Sequence, residues 1–197
     1  MDSKMAPRTV GTQLDRGDVR TGSESLTSIT STRPARRLAG EMEPSELVIR
    51  EACRDAIAQY THAGDRFMLE ELAGAFCEDG TLETRGDPPV TGRNAIIERL
   101  SGGRGTTDLE IRAQARREQS AGGQRRIVRH NIANIQFESI TPTEAKVNSY
   151  FTVFTEIGLD HMGRYRDRLV PVGEQWRIAH RFVSVDWFAP GSRFGSS

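Results

Sequence analysis

Three side chains combine reactive chemistry with useful positions: the phenol of Tyr60, the carboxylate of Asp65 and the imidazole of His130. Tyr60 and Asp65 fall in the stretch YTHAGDRFMLEELAGAF, which reads as a helix end, a break and a second helix start. Asp65 there is either a helix cap or half of an acid/base pair. An imidazole titrates near neutral pH and can remove a proton activated by a carbonyl or leaving group. His130 alternates with Val128 and Ile132, so the three share the inward face of a strand. Asn134, an even step further on, falls on the same face and could hydrogen-bond a substrate oxygen. Tyr150 and Tyr165 are further candidate pocket polar groups, although strand parity leaves the direction of each open.

The other reactive types carry less. His62 lies off the helical face of Tyr60 and points to solvent, and His161 sits at a turn. His180 alternates with Trp176, Ile178 and Phe182, which makes it a candidate for burial. Arg164, Arg166 and Arg168 share one face, and three cations in a row belong in solvent or at an interface rather than in an apolar cavity. Cys53 and Cys77 fit as small core residues of a reduced protein. The spacing offers neither HExxH nor a Cys/His metal pattern, and GGRG lacks the strand and Lys-Ser/Thr of a phosphate cradle. No cofactor or metal is expected.

The elements that must position these groups follow from periodicity. Residues 1–44 are rich in Ser, Thr, Gly and Arg without an apolar period, and read as a disordered tail. Ile49, Ala52, Cys53, Ala56, Ile57 and Tyr60 recur at helical spacing, with Ser45 as N-cap and Gly64 as stop. Asp65 then caps a second helix running to Phe76, and Asp79-Gly80 is a turn before a short strand. TGRNAIIERLSGG is a third helix, capped by Thr91 and ended by Gly102. Residues 104–126 form an Arg-rich insertion, either a short surface helix or a mobile loop, with a lid over a pocket as the sharper alternative. Thereafter the period shortens. RIVRHNIANIQFESI, EAKVNSYFTVFTEI, HMGRYRDRLVPV and EQWRIAHRFVSVDWF are strand-like, separated by meander connections. Helices first and a long antiparallel sheet second is the α+β pattern. The folded domain spans 45–188, and 189–197 is a C-terminal tail.

The chain of 197 residues carries 27 basic and 27 acidic side chains. Zero net charge argues against a nucleic-acid binder held by bulk charge. No apolar run reaches the ~20 residues of a membrane helix, and the N-terminus has no secretory apolar core. A cytoplasmic protein is the simple expectation.

In order along the chain, AIAQYTHAGDRFMLEELAGAFCEDGTLE, GRNAIIERL, RHNIANI, AKVNSYFTVF, GRYRDRL and WRIAHRFVSVDW resemble the SnoaL-like branch of the NTF2-like superfamily. The resemblance implies a cone-shaped fold, with N-terminal helices packed in a strongly bent antiparallel sheet around a cavity for a small hydrophobic molecule. Relatives include polyketide cyclases, scytalone dehydratase, ketosteroid isomerase and dehydrochlorinase enzymes, and also mainly structural small subunits of ring-hydroxylating dioxygenases. By resemblance Asp65 orients His130, His130 is the base, and Tyr60 donates to an oxygen that gains charge. That reading is a dehydratase, cyclase or isomerase. A non-catalytic binding or subunit-stabilising module is the alternative, and an epoxide hydrolase with an Asp-Arg-Asp set ranks third. A homodimer paired through the exposed sheet face is expected on the same ground.

Overall fold

A computed structural model describes residues 43–102, 107–120, 127–192 and 194–195. The expected tail falls outside them except for its last two residues, as do both ends of the Arg-rich insertion.

Helix α1 runs from Pro44 to Asp65. Its N-cap is Glu43 in extended conformation with Pro44 at N1, so Ser45 lies inside the helix instead of capping it. Proline's fixed φ and missing N–H suit that first position. Cys53, Ile57 and Tyr60 bury one stripe of the helix. Nor does Gly64 stop it. The stop is a Schellman turn at Phe67, which adopts φ 56°, with Met68 N–H donating to Ala63 O at 2.9 Å and Phe67 N–H to Gly64 O at 3.0 Å. Gly64 serves a close approach: a Cβ there would lie 3.2 Å from Leu72 Cδ1.

Helix α2, Leu69–Ala73, is shorter than expected, because Phe76 opens strand β1, Phe76–Thr84. Asp79-Gly80 is part of that strand, in an irregularity between the pairs Phe76–Ile178 and Thr81–His180. Gly80 is required by packing, since a Cβ would sit 2.9 Å from Ile178 O. Strand β2, Val90–Thr91, pairs with β1. Helix α3, Arg93–Ser101, has Gly92 rather than Thr91 at its N-cap, and left-handed Gly102 ends it as expected. Helix α4, Asp108–Ser120, occupies the described part of the insertion.

Strands β3 (Val128–Ile140), β4 (Ala145–Thr155), β5 (Gly158–Val172) and β6 (Gln175–Phe188) match the strand-like runs closely. The sheet order is β2-β1-β6-β5-β4-β3. Every pairing is antiparallel except β1 with β6, which is parallel, so the sheet is mixed at that one position. Breaks in register occur in the β3–β4, β4–β5 and β5–β6 ladders. Such bulges bend a sheet and raise its twist. Helix α1 crosses β3 and β6, and α2 and α3 close the same side. The core of Ile57, Phe76, Ile96, Val147, Leu169 and Ile178 lies between the layers.

Candidate active site

The end of α1 and the start of β3 are joined by one carboxylate. Asp65 accepts the His130 backbone N–H at 3.1 Å (Oδ1) and 3.2 Å (Oδ2). Its Oδ1 also lies 2.6 Å from His130 Nδ1. That contact makes Nδ1 the protonated nitrogen and leaves Nε2 as the acceptor. Both side chains are mostly buried, 12% and 19% exposed for Asp65 and His130. Asp65 is therefore committed to β3 and does not cap α2. Asp108 of α4 fills that role, accepting Glu70 N–H at 3.0 Å.

His130 borders a cavity of about 220 Å³ between helices and sheet. Its walls are apolar, among them Phe67, Leu72, Leu82, Phe151, Val153 and Val185, with Tyr60, Tyr165, Thr84 and His161 as polar points. Tyr60 and Tyr165 are both buried, and their ring centres lie 6.1 Å apart at 78°. Burial pushes both phenols above their ordinary value, Tyr165 well above it, while the guanidinium of Arg181 acts in the opposite direction. Both phenols thus stay protonated at neutral pH and can act as hydrogen-bond donors.

The structure adds His161, which the sequence placed at a turn. It is buried in β5, and its Nδ1 lies 2.7 Å from Asp160 Oδ1. Consecutive residues of a strand normally face opposite sides. Here the β4–β5 register passes from Val153–His161 to Phe154–Leu159, so Asp160 is an extra residue and turns inward with its neighbour. Asp160 also accepts Thr155 Oγ1–H at 3.0 Å and Ser192 Oγ–H at 2.7 Å. Burial alone would raise the Asp160 carboxyl, but these bonds outweigh it and hold the group below its usual range. Burial drives His161 the other way, below its ordinary value, against the pull of Asp160 and with a contribution from His130. Two imidazoles, each oriented by its own carboxylate, thus border one cavity. The C-terminal segment expected as a tail contributes too: Ala189 N–H donates to Asp160 O at 2.7 Å, and Phe194 packs 5.0 Å from the His161 ring.

Asn134 and Tyr150 do not join this group. Asn134 sits at φ 50° in the β3 bulge between Ala133 and Gln136, which breaks the alternation that placed it beside His130. Tyr150 is 52% exposed and pairs with Ala133 and Arg164. Both line a separate, more polar groove of about 560 Å³ with Arg164 and Arg166, which Tyr165 also borders. His180 is bonded to Glu83 at 3.0 Å, away from the cavity, and His62 is exposed. The arginine row faces outward as expected, with Arg164 on Asp186 at 2.8 Å. Arg181 and Asp167 form a buried ion pair, but neither lines the cavity, and no second carboxylate contacts Arg181 among the described residues. The Asp-Arg-Asp set of the epoxide hydrolase reading is therefore not assembled. Among the described residues no group of three or more His, Cys, Asp and Glu is arranged to hold a metal ion.

The sequence profile of the SnoaL-like domain matches residues 45–182, well over half of the chain. The chain belongs to the SnoaL-like family. No curated protein matches it. Solved structures sharing the SnoaL-like fold include a protein provisionally named a scytalone dehydratase from Novosphingobium aromaticivorans, with 24% identity, TM-score 0.61, and 79% of this chain and 95% of that one covered. An NTF2-like protein with a cystatin-like fold from the same organism has 20% identity, TM-score 0.53, and coverages of 78% and 97%. A third from that organism, provisionally named the beta subunit of an aromatic-ring-hydroxylating dioxygenase, has 17% identity, TM-score 0.53, and coverages of 74% and 94%. A SnoaL-like fold is thus shared by proteins named as enzymes and as subunits, and function must be argued from the site.

Proposed function

We propose that this protein is a cofactor-independent acid/base enzyme, a dehydratase, cyclase or isomerase, acting on a small hydrophobic ring compound. The observation that carries this reading is the Asp65–His130 contact of 2.6 Å at the edge of an apolar cavity. A histidine placed only for packing would not need an oriented Nδ1 and an Nε2 free of protein partners among the described residues.

In the proposed reaction His130 Nε2 takes a proton from carbon next to a carbonyl. Asp65 stabilises the imidazolium that forms. Tyr60, with Tyr165 beside it, donates a hydrogen bond to the oxygen as negative charge grows there. In a dehydration the enolate then expels a hydroxyl group, which takes the proton from His130 and leaves as water. In an isomerisation the same proton returns to a different carbon. His161 offers a second oriented imidazole for the leaving or receiving oxygen. General acid/base help of this kind is worth ~10²–10⁴ in rate. The cavity of about 220 Å³ is smaller than the ~300–1,000 Å³ of sites for drug-sized ligands, which favours compounds of one or two rings.

The site would work in a homodimer. Phe154, Leu159, Met162 and Trp187 are exposed on the sheet, where Phe154 pairs with Leu159 and Met162 with Trp187. No helix among the described residues is long and apolar enough to cross a membrane, in keeping with a cytoplasmic role.

The test is a panel of one- and two-ring hydroxy ketones incubated with wild type and His130→Ala, with product analysis by mass spectrometry. Conversion by wild type alone supports the reading. Equal conversion by both removes His130 from the mechanism, and binding without conversion by wild type moves the protein to the non-catalytic module.

A further inference from the structure

Among the described residues, a fully buried ion pair lies behind the cavity wall. Arg181 is 0% exposed. Its Nε–H and Nη2–H donate to Asp167 Oδ1 and Oδ2 at 2.8 and 2.6 Å. The guanidinium carbon lies 4.1 Å from the ring centre of Tyr60 and 4.2 Å from that of Tyr165. Nη1 has no hydrogen-bond partner among the described residues. The contacts left to the cation are the two aromatic rings and the Tyr60 hydroxyl, whose pKa it lowers.

This arrangement is a poor device for stability. Desolvating an ion pair consumes most of what the attraction returns, and a packed apolar pair of the same volume is often as stable or more so. It is a good device for geometry. A planar cation held by a bidentate carboxylate has its plane fixed, and it attracts both rings, which stand at 78° to each other so that at most one of them stacks on that plane. The two rings come from different elements, Tyr60 from α1 and Tyr165 from β5, and both line the cavity. One buried group therefore references a helix and a strand to each other at the point where their phenols meet.

We propose that Arg181 is a positioning residue: oriented by Asp167, it sets the tilt of the Tyr60 and Tyr165 rings and so the placement of their hydroxyls in the cavity. The use of those hydroxyls rests on the acid/base reading above, but their placement does not. Lysine cannot substitute, since a point charge has neither the fork for Asp167 nor a plane to stack.

The chain holds three tyrosines, Tyr60, Tyr150 and Tyr165, and the exposed Tyr150 is an internal reference. The experiment is fluorine NMR of 3-fluorotyrosine-labelled protein, assigned with single Tyr→Phe variants. It compares wild type with Arg181→Lys and with the double variant Arg181→Met, Asp167→Leu, in which the ion pair is replaced by an apolar pair. The expected result is that the Tyr60 and Tyr165 resonances both shift and broaden in either variant while Tyr150 keeps its position. Unmoved Tyr60 and Tyr165 resonances in a variant that still unfolds cooperatively overturn the proposal. Should neither variant fold, Asp167→Asn, which keeps the cation but weakens its orienting acceptor, is read in the same way. Moved resonances in a protein that turns over nothing would overturn the acid/base reading and leave the positioning role standing. Unmoved resonances in an active enzyme would do the reverse.

Discussion

Replacing Asp65 by Asn tests the site at its most specific point. The side chain keeps its size, and one oxygen can still accept a hydrogen bond from β3. What is lost is the charge beside the imidazolium. Asp65 Oδ1 lies 2.6 Å from Nδ1, which puts the centres of the two charged groups about 4 Å apart. With an effective dielectric of about 20, their attraction is about 4 kcal/mol. At 1.36 kcal/mol per decade, removing it slows proton abstraction by about 10³. The substitution also weakens the acceptor of a part-buried His130 N–H, so thermal stability should fall by about 1–3 kcal/mol. The assay is single-turnover conversion of the substrate identified in the panel, run on wild type, Asp65→Asn, His130→Ala and the double variant. If Asp65 acts through His130, its substitution costs nothing further once the imidazole is gone, and the two effects are strongly non-additive. Asp65→Asn activity within about tenfold of wild type would refute the electrostatic argument. Fully additive losses would show instead that Asp65 acts independently of the ring.

Three further outcomes are expected. His161 has a folded-state value below the ordinary one of about 6.5, so the unfolded chain binds its proton first as pH falls. Stability should thus be flat above neutral pH and decline below about 6.5, with a further decline when the low-lying Asp160 carboxyl protonates; thermal unfolding against pH should lose the first limb in His161→Gln. Phe67 holds φ 56°, where glycine is at no disadvantage, so by urea unfolding Phe67→Gly should be more stable than Phe67→Ala by about 1 kcal/mol, the reverse of their usual order. Met162→Glu, which places a charge in the exposed apolar patch beside Trp187, should shift sedimentation from dimer to monomer; a wild type that sediments as a monomer at micromolar concentration would refute the dimer.

The amino-acid sequence by itself determined a good deal. The 3.6-residue period of Cys53, Ala56, Ile57 and Tyr60 is local information, and α1 buries that stripe. The alternation in the last four strand-like runs is equally local, and β3 to β6 follow it. Because His130 lies in an uninterrupted part of its strand, parity placed it inward with Val128, where Asp65 meets it. Tertiary structure decided the rest, and for one physical reason. Strand parity holds only while each residue has one partner, and an extra residue is admitted or refused by the neighbouring strand, not by its own sequence. The bulge at Asp160 turned Asp160 and His161 together into the site, and the bulge at Asn134 turned that residue out of it. Glycines behaved alike: Gly64 and Gly80 look like a stop and a turn in the sequence, but they sit where another element presses against the backbone. No local pattern could place Arg181 in the interior, because its burial is tolerable only where Asp167 and two aromatic rings from distant parts of the chain already wait.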